Sequence, residues 1–363
     1  MTDREIYGAL WEQLRQGKSA VLVSSARQRA LYSLSGSAKE VTLELLGTTF
    51  GDAVLPPLET KTRSALLSQA RAPQLVVQFQ LAPGDTDTYV AIVYSPPARL
   101  IVCGGGHISQ PLVKMAALLD FVVTVIDDRP FFANAARFPE AAEVICGPFD
   151  QALASLILTR QTYAVVVTRG HRHDAMCVRQ LILANIAYLG MIGSRRRVRE
   201  MREVFLAEGF ANERVAALYA PIGLEINAET PAEIAVSILA EITSLKNRPS
   251  RSIAPWAGGC AADLAVVQAV TKEDQATPLA VATIVSTWGS APRKAGAQML
   301  IYPDGRTVGT IGGGCVEADV RRKALTVIAD GCPEWYAIDM TGPVMEDEGL
   351  ACGGKMLVLI ERV

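Results

Sequence analysis

The stretch Leu100–Ser109, LIVCGGGHIS, decides how this chain is read. An apolar run ends in three consecutive glycines, and a helix-forming stretch, QPLVKMAALLD, follows. Strand, glycine turn and helix in that order begin a dinucleotide-binding βαβ unit. Gly104 makes the tight turn. Gly106 lets backbone approach a phosphate at the helix N-terminus, where free N–H groups and the helix dipole favour anions. The next run, FVVTVIDDR, places Asp127 at the end of a second strand, the place of a ribose-binding acid. Ser109 stands at the third glycine position and is small enough for close helix–strand packing. His107 lies inside the turn. Two readings stay open: a Rossmann-like unit that binds a nucleotide, NAD(P) included, and one that keeps only the fold.

Working outward, EVICG and YAVVVTRG are further apolar β runs alternating with helical stretches between residues 98 and 247, which predicts a parallel sheet. VVVTRGHRHDAM bunches His171, His173 and Asp174 just past a strand. All three histidines of the chain therefore follow strands of one sheet, and ligands bind beyond the carboxyl ends of such strands. Imidazole there binds metal or moves protons, or else the loop is simply solvated. In MIGSRRRVREM, Ser194 suits an N-cap. Arg195, Arg196, Arg197 and Arg199 then crowd the end of a helix that repels cations. A phosphate or pyrophosphate bound there explains them, as does a solvated basic face.

The chain has 363 residues and a net charge of −2, with half its residues hydrophobic and a fifth charged. This is a globular composition with room for two or three domains. No basic balance points to nucleic acid, and the longest apolar run is too short to span a bilayer. Seven cysteines without a CxxC pair, behind an amphipathic N-terminus, fit a reducing cytoplasm with free thiols. Cys103 and Cys146 read as core residues, and Cys260 and Cys332 as structural or incidental.

The segments on either side of the central one, 1–97 and 248–363, share an order of elements. Each has a helix, an apolar strand (SAVLVSS; LAVATIVST), a glycine-containing turn (LGTTFGDAVL; VGTIGGGCVE), a helix with an Ala-Leu pair, and closing strands. A divergent duplication gives this order, and so does chance. If it is a duplication, Ala53 stands where Cys315 stands, and the first copy is a degenerate α+β partner. KNRPSRSIAPW reads as a linker before the last domain.

Taken together, these motifs resemble the XdhC/CoxI family, accessory proteins of xanthine dehydrogenase and related molybdenum hydroxylases. The resemblance is carried by CGGGHIS, VTVIDDRPFFANAARFP, LGMIGSRRR and PIGLEINAETPAEIAVSILAEI in the centre. GSAPRKAGAQMLIYPDGRTVGTIGGGCVEADV and LACGGKMLVLIE carry it in the last domain. In the family the CoxI-type domain commonly precedes the Rossmann domain, whereas here it follows. The resemblance implies an α/β chain with a Rossmann-like domain and a C-terminal α+β XdhC/CoxI-type domain. It also implies a cytoplasmic maturation factor that binds molybdenum cofactor (molybdopterin) and supports its sulfuration by a cysteine desulfurase. The factor then hands the cofactor to an apo molybdenum hydroxylase, commonly as a homodimer. Relatives are often labelled xanthine dehydrogenase, but the chain lacks iron–sulfur cysteine spacing.

In that light the last domain reads as a ligand site. Ser290, Arg293 and Lys294 sit among glycines and suit a phosphate or an anionic pterin. Gly312, Gly313 and Gly314 lead to Cys315 at a helix start, where dipole and amides favour a thiolate that ligates metal or passes sulfur. Glu317 and Asp319 fall in the first helical turn, where they cap it. Cys352 and Gly353 repeat the cysteine–glycine theme. Two rivals remain, an NAD(P)-dependent oxidoreductase and a non-catalytic assembly scaffold.

Overall fold

The fold is described from a computed structural model covering residues 1–25, 28–37, 40–52, 54–68, 76–82, 87–246, 261–274, 276–340 and 354–363. Ala53, Cys260, Cys352, Gly353 and the KNRPSRSIAPW stretch after Lys246 lie outside the described residues.

The chain opens with α1 (Asp3–Arg15). Its start is a capping box: Thr2 accepts from the Glu5 amide, and Glu5 accepts from the Thr2 amide. Strands β1 (Ser19–Ser25), β2 (Gln28–Ser37) and β3 (Glu40–Thr48) follow, then α2 (Leu55–Ser68), β4 (Val76–Phe79) and β5 (Tyr89–Tyr94). All neighbours pair antiparallel, in the order β3-β2-β1-β5-β4.

The central segment begins β6 (Arg99–Cys103), α3 (Ser109–Leu118), β7 (Val122–Asp127), β8 (Glu143–Cys146) and α4 (Phe149–Ser155). It continues with β9 (Thr162–Val166), α5 (His171–Leu181), β10 (Tyr188–Met191), α6 (Arg195–Ala207), α7 (Asn212–Ala216) and α8 (Pro231–Lys246). The five strands are parallel, in the order β10-β9-β6-β7-β8. Both faces of β6 are buried: Leu100 and Val102 face the core under α3 and α8, Ile101 and Cys103 the core under α4, α5 and α6. Burial on two sides explains why these strands read as unbroken apolar runs. Strand order reverses between β6 and β9, the point at which such sheets bind ligands. Cys146, expected in the core, is exposed, because β8 is the edge strand and its end is open.

The last segment holds α9 (Ala261–Lys272), β11 (Ala280–Trp288), β12 (Gln298–Ile301), β13 (Thr307–Gly309), α10 (Gly314–Asp330), β14 (Glu334–Asp339) and β15 (Lys355–Arg362). Its antiparallel sheet runs β13-β12-β11-β15-β14, the same order as the first sheet. Residues 1–96 and 249–363 form one compact unit, and 97–248 form another. Within the first unit, Ile6, Tyr7 and Leu10 of α1 and Val266, Val267 and Val270 of α9 share a core with the facing sheets. The outer face of each sheet is covered by its own helix, α2 on one and α10 on the other. No described helix is long and apolar enough to cross a membrane.

Candidate functional site

In the parallel-sheet unit, the residues singled out from sequence fall beyond the C-terminal ends of four adjacent strands. Gly104 and His107 follow β6, Asp127 ends β7, His171 follows β9, and Ser194 and Arg195 follow β10. Gly104 has φ +112°, and a Cβ on it would lie 2.4 Å from the Val167 carbonyl oxygen past β9. The turn is therefore pressed onto the neighbouring strand end at the switch point. Gly106 opens onto free space, and His107 is exposed. Ser109, with a buried hydroxyl, donates to the Gly104 carbonyl at 2.5 Å, which is how serine substitutes for the third glycine.

Asp127 stands where the sequence puts it, but its carboxylate is engaged. It accepts from the Gly105 amide at 2.8 Å and from both Nε and Nη2 of Arg129 at 2.8 and 2.9 Å. Burial alone would raise this carboxyl. The Arg129 and amide hydrogen bonds outweigh it and hold the group below the usual carboxylate range. Arg129 in turn lies 3.8 Å over the Phe132 ring. Arg137 donates to the Gly105 and Gly106 carbonyls at 3.0 and 3.4 Å. Sequence reasoning took RPFFANAARFP as part of a family motif but gave neither arginine a role. The signal was the place of Arg129, two residues after Asp127 at the end of β7.

The arginine-rich helix start has partners from within the chain. Ser194 caps α6 by accepting from the Arg197 amide. Arg195 pairs with Glu225, Arg196 with Glu200 at 2.9 Å, and Arg197 with Asp174 at 3.5 Å. Carboxylates of the chain meet three of these arginines, and Arg195 and Arg196 remain largely exposed, as on a solvated basic face. The first two pairs are largely exposed and contribute little stability. Asp174 is buried and accepts from the Thr168 hydroxyl at 2.6 Å, so it fixes the β9–α5 turn that carries His171. Burial pushes its carboxyl up.

In the other unit, three stretches of the last segment converge. Gly312, Gly313 and Gly314 all have positive φ, at 136°, 78° and 63°. A Cβ on Gly312 would lie 2.4 Å from Cγ of Pro292, so the glycine run packs directly on the loop carrying Ser290, Arg293 and Lys294. Gly354 is buried against the Ser290 carbonyl, which brings the chain just after Cys352 and Gly353 to the same loop. Cys315 is exposed in the first turn of α10, whose N-cap, Gly313, brings no capping side chain. Among the described residues no cluster of three or more His, Cys, Asp or Glu is placed to hold a metal ion.

Glu317 holds this loop. Its Oε1 accepts from the Gly313 amide at 2.9 Å, the Ile311 amide at 3.1 Å and the Thr310 hydroxyl. Burial raises the carboxyl, and these bonds more than reverse it, so the group titrates below its usual range. An acid in the first helical turn was readable as a cap; its reach back across the glycines was not. Glu317→Ala is expected to cost about 1–2 kcal/mol, the loss of a charged cap. The folded carboxyl titrates below the unfolded one. Its contribution is therefore full above the ordinary glutamate range and fades as pH falls through the lowered value. Wild type and variant should converge in thermal melts taken toward acid pH.

A doubly wound parallel unit with a glycine turn and an α+β domain whose glycine loop presents a cysteine are the two modules to compare with known proteins. Residues 100–242 match the XdhC Rossmann domain, and residues 273–339 match the XdhC and CoxI family. The chain belongs to the XdhC/CoxI family. It is 35% identical over 156 residues to the uncharacterized protein YqeB of Escherichia coli K12, covering 43% of this chain and 28% of that protein. It is 34% identical over 153 residues to a probable xanthine dehydrogenase subunit of Bacillus subtilis 168, covering 42% and 44%. Over 81 residues it is 35% identical to the molybdenum cofactor insertion chaperone PaoD of E. coli K12, covering 22% and 25%. The matches span less than half the length of each of these relatives.

Proposed function

We propose that this chain is an accessory protein that binds molybdenum cofactor in its last domain. It passes the cofactor to an apo molybdenum hydroxylase of the xanthine dehydrogenase type. The observation that carries the reading is the exposed Cys315 on a left-handed glycine run, packed through Pro292 against a loop bearing two cations. The names of two relatives, a cofactor insertion chaperone and a probable xanthine dehydrogenase component, agree with it.

The residues fit such a cargo. Without side chains, the glycine run lets a flat ligand lie against backbone, and Gly313 faces open space. Glu317 occupies the Ile311 and Gly313 amides, so the grip on anionic groups falls to Lys294, Arg293, the Ser290 hydroxyl and the first amides of α10. A helix start favours a thiolate at Cys315, able to meet molybdenum or carry a sulfur atom. In this reading a cysteine desulfurase is the sulfur donor, and Cys352, outside the described residues, is a second candidate thiol. The parallel-sheet unit carries a weaker case for NAD(P), because the Asp127 carboxylate is already taken by Arg129 and Gly105.

The test uses the full chain purified from a host that makes molybdenum cofactor. Pterin, read by fluorescence after oxidation, and molybdenum, read by mass spectrometry, are expected to co-purify with wild type. Retention should fall about tenfold in Cys315→Ala, equivalent to about 1.4 kcal/mol. Wild type free of pterin would overturn the function. Equal retention by the variant would overturn only the role of the cysteine. A thermal shift with NADP(H) and none with pterin would favour the oxidoreductase reading.

A further inference from the structure

The two antiparallel sheets of the first unit have the same strand order, and their contacts across the joint are reciprocal. The pairing registers allow residue-by-residue equivalence. Laying Ser24 of β1 on Thr283 of β11 puts Leu22 on Val281. Through the strand partners it puts Arg29 on Gln298, Leu31 on Leu300, and Val90 on Leu359. The apolar members of these pairs lie in the single core between the sheets, together with the matching triplets of α1 and α9. Ser24 and Thr283 are both buried hydroxyls.

The polar contacts then cross in both directions. Arg29, on the second strand of the first sheet, donates to Glu361 on the last strand of the other, at 3.4 Å. Gln298, the equivalent of Arg29, accepts at 2.9 Å from the hydroxyl of Tyr94, on the last strand of the first sheet. Second strand to last strand, both ways, is the pattern of an isologous two-fold interface, in which a patch meets its own counterpart. A sequence duplication alone does not require the copies to meet through equivalent faces.

We infer that the face of the last domain built by α9, β11, β12 and β15 is a self-association face, and that residues 1–96 occupy it as a built-in second copy. The side chains give the arrangement a direction. In a pair of last domains, Gln298 of each would face the β15 region of the other, where its amide N–H groups meet the Glu361 carboxylate. In a pair of first domains, Arg29 would keep Asp3 of its own copy but face the β5 positions of Ile92 and Tyr94, and so lose the second carboxylate that Glu361 supplies across the joint. The last domain is fit to pair with itself, and the first pairs better with the last, which adds Glu361 to Asp3 around Arg29. The first copy also joins β1 to β2 through 26–27 alone, where the last joins β11 to β12 through 289–297 with its two cations. It keeps the joint and lacks the ligand loop.

The test uses the full chain with a protease site placed within 247–260 and cut in the native state. The two pieces are expected to stay together in gel filtration. A cut chain and a copy with a mass tag on its last piece are then mixed in mild urea and returned to buffer. Native mass spectrometry should show tagged last pieces paired with untagged ones, beside re-formed original pairs. Re-formed original pairs without any pair of last pieces would overturn the inference. In an Arg29→Glu chain, which sets a third carboxylate beside Asp3 and Glu361, cutting should release the last piece without urea, and it should travel as a pair. Release as a single folded copy, or continued binding, would also overturn it.

Discussion

Arg29→Ala is expected to lower the unfolding free energy by about 3–5 kcal/mol, the range for a buried ion pair that loses one partner. The Arg29 side chain is 3% exposed and sits between Asp3 at 2.5 Å and Glu361 at 3.4 Å, the latter 5% exposed. It also donates to the Arg362 carbonyl at 3.1 Å. Burial works against its charge, and the two carboxylates outweigh that and keep it protonated. Without it, Glu361 is left charged in the joint between the two sheets. Burial already raises the Glu361 carboxyl, and Arg29 pulls it partway back. Removing Arg29 raises it further. A carboxyl with a higher pKa folded than unfolded loses stability as pH rises through that interval and regains it on protonation. The deficit of the variant should therefore be largest near neutral pH and shrink toward pH 4–5, in urea titrations of both proteins. A deficit that stays constant across that range would mean that Glu361 is not the group left exposed to the loss.

Gly104→Ala is expected to destabilise the parallel-sheet unit by about 2–4 kcal/mol. At φ +112° an L residue is strained, and the added methyl would meet the Val167 carbonyl oxygen at 2.4 Å and its carbon at 2.8 Å. Those atoms are backbone, so relief means parting the ends of β6 and β9 at the switch point. Gly106→Ala is the matched control: its Cβ would meet nothing within 4 Å, and its stability should stay within about 0.5 kcal/mol of wild type. A Gly106 variant as unstable as the Gly104 variant would place the constraint in glycine entropy rather than in the strand contact. Denaturant unfolding followed through the tyrosines Tyr163 and Tyr188, buried in this unit, separates the two.

Much of the fold was legible because buried parallel strands leave continuous apolar runs and a glycine turn has a fixed place among them. LIVCGGGHIS alone placed β6, the turn and α3. The order of elements in the flanking segments was legible too. Their meeting was not: Arg29 and Glu361 lie at opposite ends of the chain, and nothing in QRALYS or VLIERV marks one as the other's partner. At the candidate sites, positions were easier to read than occupancies. Asp127 and Ser194 stand where local pattern put them. What touches Asp127 depends on how the RPFFANAARFP loop folds back, and what holds the glycine run depends on a glutamate that follows it. Pattern reading sees amides and arginines and cannot see which carboxylates of the same chain meet them.

The parallel-sheet unit is inserted between the two halves of the other unit, and this sets an order for synthesis. Residues 1–96 leave the ribosome with the apolar face of α1 and of their sheet uncovered, because α9, β11 and β15 that cover it are still to be made. At ~5–20 residues per second the wait until Arg362 is roughly 10–50 s. The parallel-sheet unit, continuous in sequence, is free to fold within that interval. For all that time the nascent chain carries a half-built core, and Arg29 waits with Asp3 but without its second carboxylate, Glu361.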